Sequence, residues 1–239
     1  MKLQPRIAGV AGILAGLGLA LELGLFLASG WTPGVFADPP AALAYLQVGG
    51  PVLRAAVLAG AINLAFTVLL VVGLAARLGV AAPSAAAATL SFGLVGCAGH
   101  GLLPLGLWLG VPMFVALAQR DAQVAAGAWG GFAVFLEAAG GLGYLFMGLS
   151  MATAGWAAIS TRALPAPMGW VGLVGGGATV VNVLARATPL DGLAGAAFLP
   201  ALLLTMLFRC WSGAALWRSE TPAPGPIAAM ATPDPSHHA

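Results

Sequence analysis

Long apolar runs separated by short clusters of proline, glycine and charged residues repeat along the chain. A run of about 20 apolar residues is long enough to cross a bilayer as an α-helix. The pattern therefore predicts an all-α, polytopic transmembrane helix bundle with six spanning helices in one domain, residues 1–218. Their predicted bounds are about 7–29, 52–76, 84–110, 128–160, 168–184 and 192–217.

The segments between these runs indicate two long loops and a tail. Residues 30–50 form a first loop, in which Ala41–Val48 is apolar but too short to span and is predicted to lie along the membrane surface. Residues 111–127, with a proline and two charges, are predicted as the second long loop, with a partly helical segment along the interface as the alternative. Residues 219–239 are rich in proline and lack apolar periodicity, which predicts a disordered cytoplasmic tail.

The first run admits a second interpretation. Lys2 and Arg6 precede it, as in the basic region of a secretory signal, and Val35-Phe36-Ala37 resembles a cleavage site. A signal core is usually about 7 to 15 residues long, and this run is longer. We therefore favour a retained first helix, and the cleaved signal stays open as the alternative.

Composition agrees with a membrane protein and excludes a nucleic-acid partner. Hydrophobic residues make up 60% of the chain and charged residues 7%, against roughly 25% charged in soluble domains. Nine Lys and Arg against seven Asp and Glu give too little positive charge for a nucleic-acid footprint. The expected environment is the lipid bilayer, as a multi-pass protein of the bacterial plasma (inner) membrane.

Basic and aromatic residues suggest an orientation. With a cytoplasmic N-terminus, six Lys and Arg fall on the inner side and three on the outer, which favours cytoplasmic N- and C-termini. Tryptophan prefers the headgroup level, and all seven tryptophans fall near predicted helix ends. On the outer side these are Trp31, Trp108 and Trp129, and on the inner side Trp156, Trp170, Trp211 and Trp217.

Polar residues inside the apolar runs are costly in hydrocarbon and are the leads to function. Counted at 1.5 Å per residue, four of them lie about 10 to 16 Å below the outer ends of their helices. This candidate polar layer consists of Glu22, Asn63, His100 and Glu137. Both glutamates are expected to face the bundle interior. Arg209 is expected to extend toward the inner headgroups instead.

The polar layer supports two hypotheses. In the first, it is a structural hydrogen-bond network in a non-enzymatic accessory, sensing or assembly protein. In the second, the protein is a small proton- or cation-coupled transporter, in which the glutamates hold charge and His100 titrates near neutral pH. Inverted repeats do not support transport, because inversion would place the second glutamate in the inner half of the bundle.

Enzymatic and cofactor chemistry lack a recognisable motif. Metal catalysis needs three or four convergent ligands, yet His100 is the only histidine outside the tail. Cys97 and Cys210 lie in apolar runs and are predicted to be unpaired packing residues. Intramembrane Ser and Thr usually bond their own helix backbone. We predict no enzyme activity, no catalytic residue, no metal and no cofactor.

Small residues are spaced for close helix contact. Residues at intervals of four along the first helix are Ala8, Gly12, Gly16, Ala20 and Gly24. Such a stripe lets two backbones approach closely in lipid. We expect it to serve packing within the bundle, and a homo-oligomer or a membrane-protein partner remains the alternative.

Several short motifs resemble a family of small bacterial membrane proteins known as a domain of unknown function. They are Arg6-Ile7-Ala8-Gly9, Leu53-Arg54, Arg77-Leu78, Arg162-Ala163-Leu164-Pro165 and Gly169-Trp170. The resemblance extends over roughly residues 6–217. It implies six helices and supplies no activity and no catalytic residue.

Overall fold

The structure is a computed structural model that describes residues 4–30, 32–48 and 51–219. Over these residues the chain forms eight α-helices, listed here in order. They are α1 Pro5–Ser29, α2 Pro33–Ala37, α3 Pro39–Val48, α4 Pro51–Leu78, α5 Pro83–Arg120, α6 Ala122–Thr161, α7 Ala166–Arg186 and α8 Asp191–Arg218.

Six of these helices are long and apolar enough to cross a membrane, which confirms the predicted fold class. They are α1, α4, α5, α6, α7 and α8. Because they alternate in direction, residues 4 and 219 lie at one end of the bundle, called here the terminal side. The opposite end, which carries α2 and α3, is called the loop side. Trp31 and residues 220–239 of the predicted tail lie outside the described residues.

The second predicted loop is helical over far more of its length than expected. Helix α5 continues through Pro104 and Pro112 to Arg120, and α6 begins at Ala122, so residues 111–127 are almost wholly helical. Asp121 separates the two helices, and its carboxylate accepts hydrogen bonds from the first backbone N–H groups of α6. Apolar side chains in the extension, including Phe114, pack against the core, and this burial stabilises helix beyond the predicted membrane boundary.

The spanning helices form a closed ring. Helix α1 packs on α4, and the order continues through α5, α6, α7 and α8, which returns to α1. Small residues bring the neighbours together: a Cβ built on Gly213 of α8 would lie 2.6 Å from the backbone O of Gly9 in α1. Gly12 and Gly16 meet the same helix, whereas Gly24 has open space around it. The stripe on α1 is thus used within the chain.

Two apolar cores fill the ring, one toward each end. The terminal-side core contains Ala8, Leu70, Leu74, Met151 and Leu216, among others. The loop-side core is built from α3 to α6.

Trp129 is at the centre of the loop-side core and is fully buried. Its ring packs edge-on against Phe36 and Phe114, and its indole N–H donates to the Phe36 carbonyl at 3.1 Å. Its position near a predicted helix end suggested that Trp129 lies at headgroup level. The structure instead buries it in the core. Helix α3 buries Ala42 and Leu46 in the same core. The short apolar segment predicted at Ala41–Val48 therefore packs on the loop-side end of the bundle.

Candidate functional site

Four polar side chains are buried between the two apolar cores. Exposed fractions are 7% for Glu22, 2% for Asn63, 5% for His100 and 6% for Arg209. These residues come from α1, α4, α5 and α8, and we call them the central polar cluster. Burial of charged groups in an apolar bundle is costly unless they are hydrogen-bonded, so their partners decide what the cluster can do.

Asn63 joins the two charged residues of the cluster. Its Nδ2 donates to Glu22 Oε2 at 2.9 Å, and its Oδ1 accepts from Arg209 Nη1 at 3.1 Å. Only this orientation of the amide satisfies both neighbours, because a guanidinium cannot accept and a carboxylate cannot donate. The chain Glu22–Asn63–Arg209 therefore connects three helices that are distant in sequence.

The prediction for Arg209 is wrong. A helical side chain leans toward the N-terminal end of its helix. Since α8 begins on the loop side, Arg209 extends toward the bundle centre, away from the nearer terminal-side headgroups. A guanidinium has five N–H donors, and one of them bonds Asn63.

His100 and Tyr144 form an aromatic pair beside this chain. Their ring centroids are 4.4 Å apart and the ring planes meet at 57°. The Nδ1 atom of His100 is buried and has no hydrogen-bond partner among the described residues. Gly143 allows the approach, because a Cβ there would collide with the His100 backbone.

Glu137 lies apart from the buried cluster. Its side chain is exposed, contrary to the expected burial in the polar layer. Glu137, Tyr144 and Met151 are spaced by seven residues and so lie on one face of α6. Met151 is only 6% exposed and packs in the terminal-side core, whereas Tyr144 is 42% exposed. The inward face of α6 is therefore open on the loop side.

Helix α8 opens in the same direction. Phe198, Arg209 and Leu216 share a face, since they are separated by about three and five helical turns. Leu216 is 1% exposed and Arg209 6%, but Phe198 is 44% exposed. We call the space between the loop-side halves of these two faces the interior crevice.

Aromatic contacts connect these two faces to the central polar cluster and to the end of α7. The Tyr144 ring packs against the His100 ring, with 4.4 Å between their centroids. The Arg186 guanidinium lies 5.8 Å from the centre of the Phe198 ring, within the range of a cation–π contact. The loop-side faces of α6 and α8 thus carry the aromatic rings of Tyr144 and Phe198, with the Arg186 guanidinium beside Phe198.

Several other intramembrane polar side chains donate hydrogen bonds to backbone carbonyls, whereas the buried Thr89 Oγ1 has no partner among the described residues. Asn182 donates to the Ala194 carbonyl at 2.7 Å and fastens α7 to α8. Thr153 and Ser212 bond carbonyls of their own helices, as predicted, while Ser150 donates to Thr89 O on α5. Cys97 and Cys210 are free thiols, as predicted. Within the described residues, no group of three His, Cys, Asp or Glu could hold a metal ion.

Sequence reasoning did not single out Tyr144. A signal was present, since a phenol within an apolar run needs a polar environment for its hydroxyl, and Tyr144 lies seven residues after Glu137. The link between Arg209 and Asn63 needed the ring order of the helices, which the sequence pattern does not contain.

Fold and site together define a multi-pass helical membrane protein with a polar cluster inside its bundle. The chain belongs to the family described as a domain of unknown function, DUF4386, whose model matches residues 19–211. This match confirms the resemblance to an uncharacterised family. The comparisons with curated proteins and with solved structures yield no match.

Proposed function

We propose that this protein is a non-enzymatic sensing protein of the bacterial plasma membrane that admits a small solute or ion into the interior crevice. The proposal is carried by one observation: the inward faces of α6 and α8 are packed on the terminal side and open on the loop side. Tyr144 on the α6 face contacts His100 of the central polar cluster, which also holds the Glu22–Asn63–Arg209 chain. A solute that competes for these groups would change the bonds that hold α1, α4 and α8 together.

Hydrogen bonding within the cluster favours binding over catalysis. The Asn63 amide is used to join two side chains, and the hydroxyls of Ser150, Thr153 and Ser212 donate to carbonyls. A nucleophile needs a base within hydrogen-bond reach, and these hydroxyls are bonded elsewhere. Sensing is preferred to assembly because the opening gives the polar cluster a route of access.

Side-specific thiol labelling tests the crevice. In a background with Cys97→Ala and Cys210→Ala, Tyr144→Cys places a thiol on the inward face of α6. Leu142→Cys, at a position 56% exposed on the outer surface of the same helix, is the matched control. A membrane-impermeant maleimide should label position 144 from the loop side at least about tenfold faster than position 142, because the reactive thiolate forms in water. Equal rates would contradict the crevice.

Proton- or cation-coupled transport is the second candidate, because the crevice reaches a buried carboxyl group. The two functions differ in flux. Proteoliposomes containing a pH-sensitive dye and an imposed potassium diffusion potential would report proton uptake. Proton uptake above that of protein-free liposomes, together with its loss in Glu22→Gln, would show transport and contradict the sensing proposal. Rapid labelling at position 144 without proton uptake would support the sensing proposal.

A further inference from the structure

A basic cavity lies at the terminal side, away from the central polar cluster. It has a volume of about 270 Å³ and lies between the end of α4, the α6–α7 turn and the end of α8. Two guanidinium groups, those of Arg77 and Arg218, line it together with the indole of Trp211. Among the residues that the structure describes, the lining has two guanidinium groups and no carboxylate.

The structure holds one of the two arginines in place. Arg77 Nε donates to the Ala163 carbonyl at 3.3 Å, which ties α4 to the α6–α7 turn and leaves the terminal nitrogens of the guanidinium for a ligand. Arg218 is exposed in the last turn of α8. A pair of guanidinium groups with donors to spare is suited to phosphate oxygens, which accept two parallel N–H bonds from one arginine.

The surroundings favour a lipid phosphate over a free one. The cavity opens at the end of membrane-spanning helices. Apart from Ser219, its remaining wall is apolar and includes Leu164, Ala214 and Ala215. The indoles of Trp170 and Trp217 are exposed at the same end of the bundle, where tryptophan anchors a protein at headgroup level. The acyl chain of a lipid can extend from such a cavity along the helices and contact its apolar wall. A free phosphate ion gains nothing from that contact.

We propose that this cavity binds the phosphate headgroup of an anionic phospholipid, with Arg77 and Arg218 as its ligands. Basic pockets between spanning helices are a recurrent form of lipid recognition. The proposal is independent of the interior crevice, which opens at the opposite end of the bundle.

Lipid titration of the purified full-length protein tests this site. Native mass spectrometry would count bound dioleoylphosphatidylglycerol and dioleoylphosphatidylcholine for the wild type and for Arg77→Gln/Arg218→Gln. Each arginine near a phosphate is expected to contribute about fivefold, so the double variant should bind the anionic lipid roughly 25-fold more weakly. Arg54→Gln/Arg120→Gln removes the same charge from the loop side and should bind it like the wild type.

A single variant and a competition experiment distinguish loss of the lipid site from loss of the fold, and a lipid phosphate from a free one. Arg218→Gln alone changes an exposed residue at a helix end and should weaken binding by about fivefold even if the double variant does not fold. Inorganic phosphate at about ten times the lipid concentration should not displace the lipid. Equal binding by the cavity and control variants, or displacement by inorganic phosphate, would overturn the proposal.

Discussion

We expect the two hydrogen bonds of the Asn63 side chain to contribute more to the free energy of unfolding than a hydrogen bond between neutral groups does. It contacts a carboxyl group and a guanidinium within 3.1 Å and is 2% exposed. Hydrogen bonds to charged groups contribute about 1.5 to 3 kcal/mol each, against about 1 kcal/mol between neutral groups. Removal of the amide would leave both charged residues buried without this partner.

Leucine at position 63 measures this contribution. We expect Asn63→Leu to lower the free energy of unfolding by about 3 to 5 kcal/mol, because one change removes two bonds to charged groups. Asn182→Leu is the matched control: it removes an amide bonded to one neutral carbonyl and should cost about 1 kcal/mol. Reversible unfolding in mixed micelles would give both values, and similar costs would show that the charges are compensated elsewhere.

Sequence reasoning at this scale predicted which residues are costly in lipid and not where each side chain points. Glu22, Asn63 and His100 lie inside the bundle, as the cost of polar groups in hydrocarbon requires. Arg209 and Glu137 differ from expectation for a geometric reason. Arg209 leans toward the start of its helix, and Glu137 occupies an inward face at a level where the bundle is open.

Glycines control the spacing of neighbouring helices. Gly213 lies against the α1 backbone, where an added methyl group has no flexible side chain to displace. Gly141 of α6 is surrounded by open space. The same substitution should therefore have opposite effects at the two positions.

Alanine substitution distinguishes these two environments. Gly213→Ala should destabilise the protein by about 1 to 3 kcal/mol, because α1 and α8 must separate. Gly141→Ala should be neutral or stabilising by up to about 1 kcal/mol, because alanine restricts the unfolded chain. The midpoint of thermal unfolding in one detergent would rank both against the wild type. A Gly213 variant as stable as the wild type would contradict the close approach of α1 and α8.

The number of spanning helices could be predicted from hydrophobicity. The residues at which the helices end could not. Six apolar runs appear as six spanning helices because each has about the number of residues that a bilayer crossing needs. Residues 111–127 were misjudged because Pro112 and Arg120 suggested a loop, although tertiary contacts of Phe114 and Trp129 stabilise helix there. Those contacts depend on which helices are neighbours, and sequence periodicity does not specify that order.

At the scale of the whole molecule, the bundle is asymmetric along the membrane normal. The terminal-side core is closed, while the loop side combines an aromatic core under α3 with the open crevice. Helix contacts explain the closed end, where Gly9, Gly12 and Gly213 bring α1 and α8 together. A solute would accordingly enter from the loop side, and the orientation of the bundle determines which compartment it comes from.

The structure reduces the excess of Lys and Arg on the terminal side, from which the orientation in the membrane is predicted. Arg209 is buried in the bundle centre and no longer counts toward the terminal side. Of the six basic residues counted from the sequence on that side, five remain, namely Lys2, Arg6, Arg77, Arg162 and Arg218. The loop side has Arg54, Arg120 and Arg186. The rule that positive residues stay in the cytoplasm still favours a cytoplasmic terminal side, by five basic residues to three.

This margin of two charges predicts a topology that the removal of two basic residues can perturb. A fluorescent protein fused after residue 219 should fluoresce in the cytoplasm, and alkaline phosphatase at the same point should be inactive. Arg6→Gln/Arg162→Gln removes two of the retained charges and should produce a mixed population, with measurable phosphatase activity. Arg54→Gln/Arg120→Gln removes two charges from the opposite side and should leave phosphatase inactive. An active phosphatase fusion in the wild type would place the crevice on the cytoplasmic side and reverse the compartment that the proposed sensor samples.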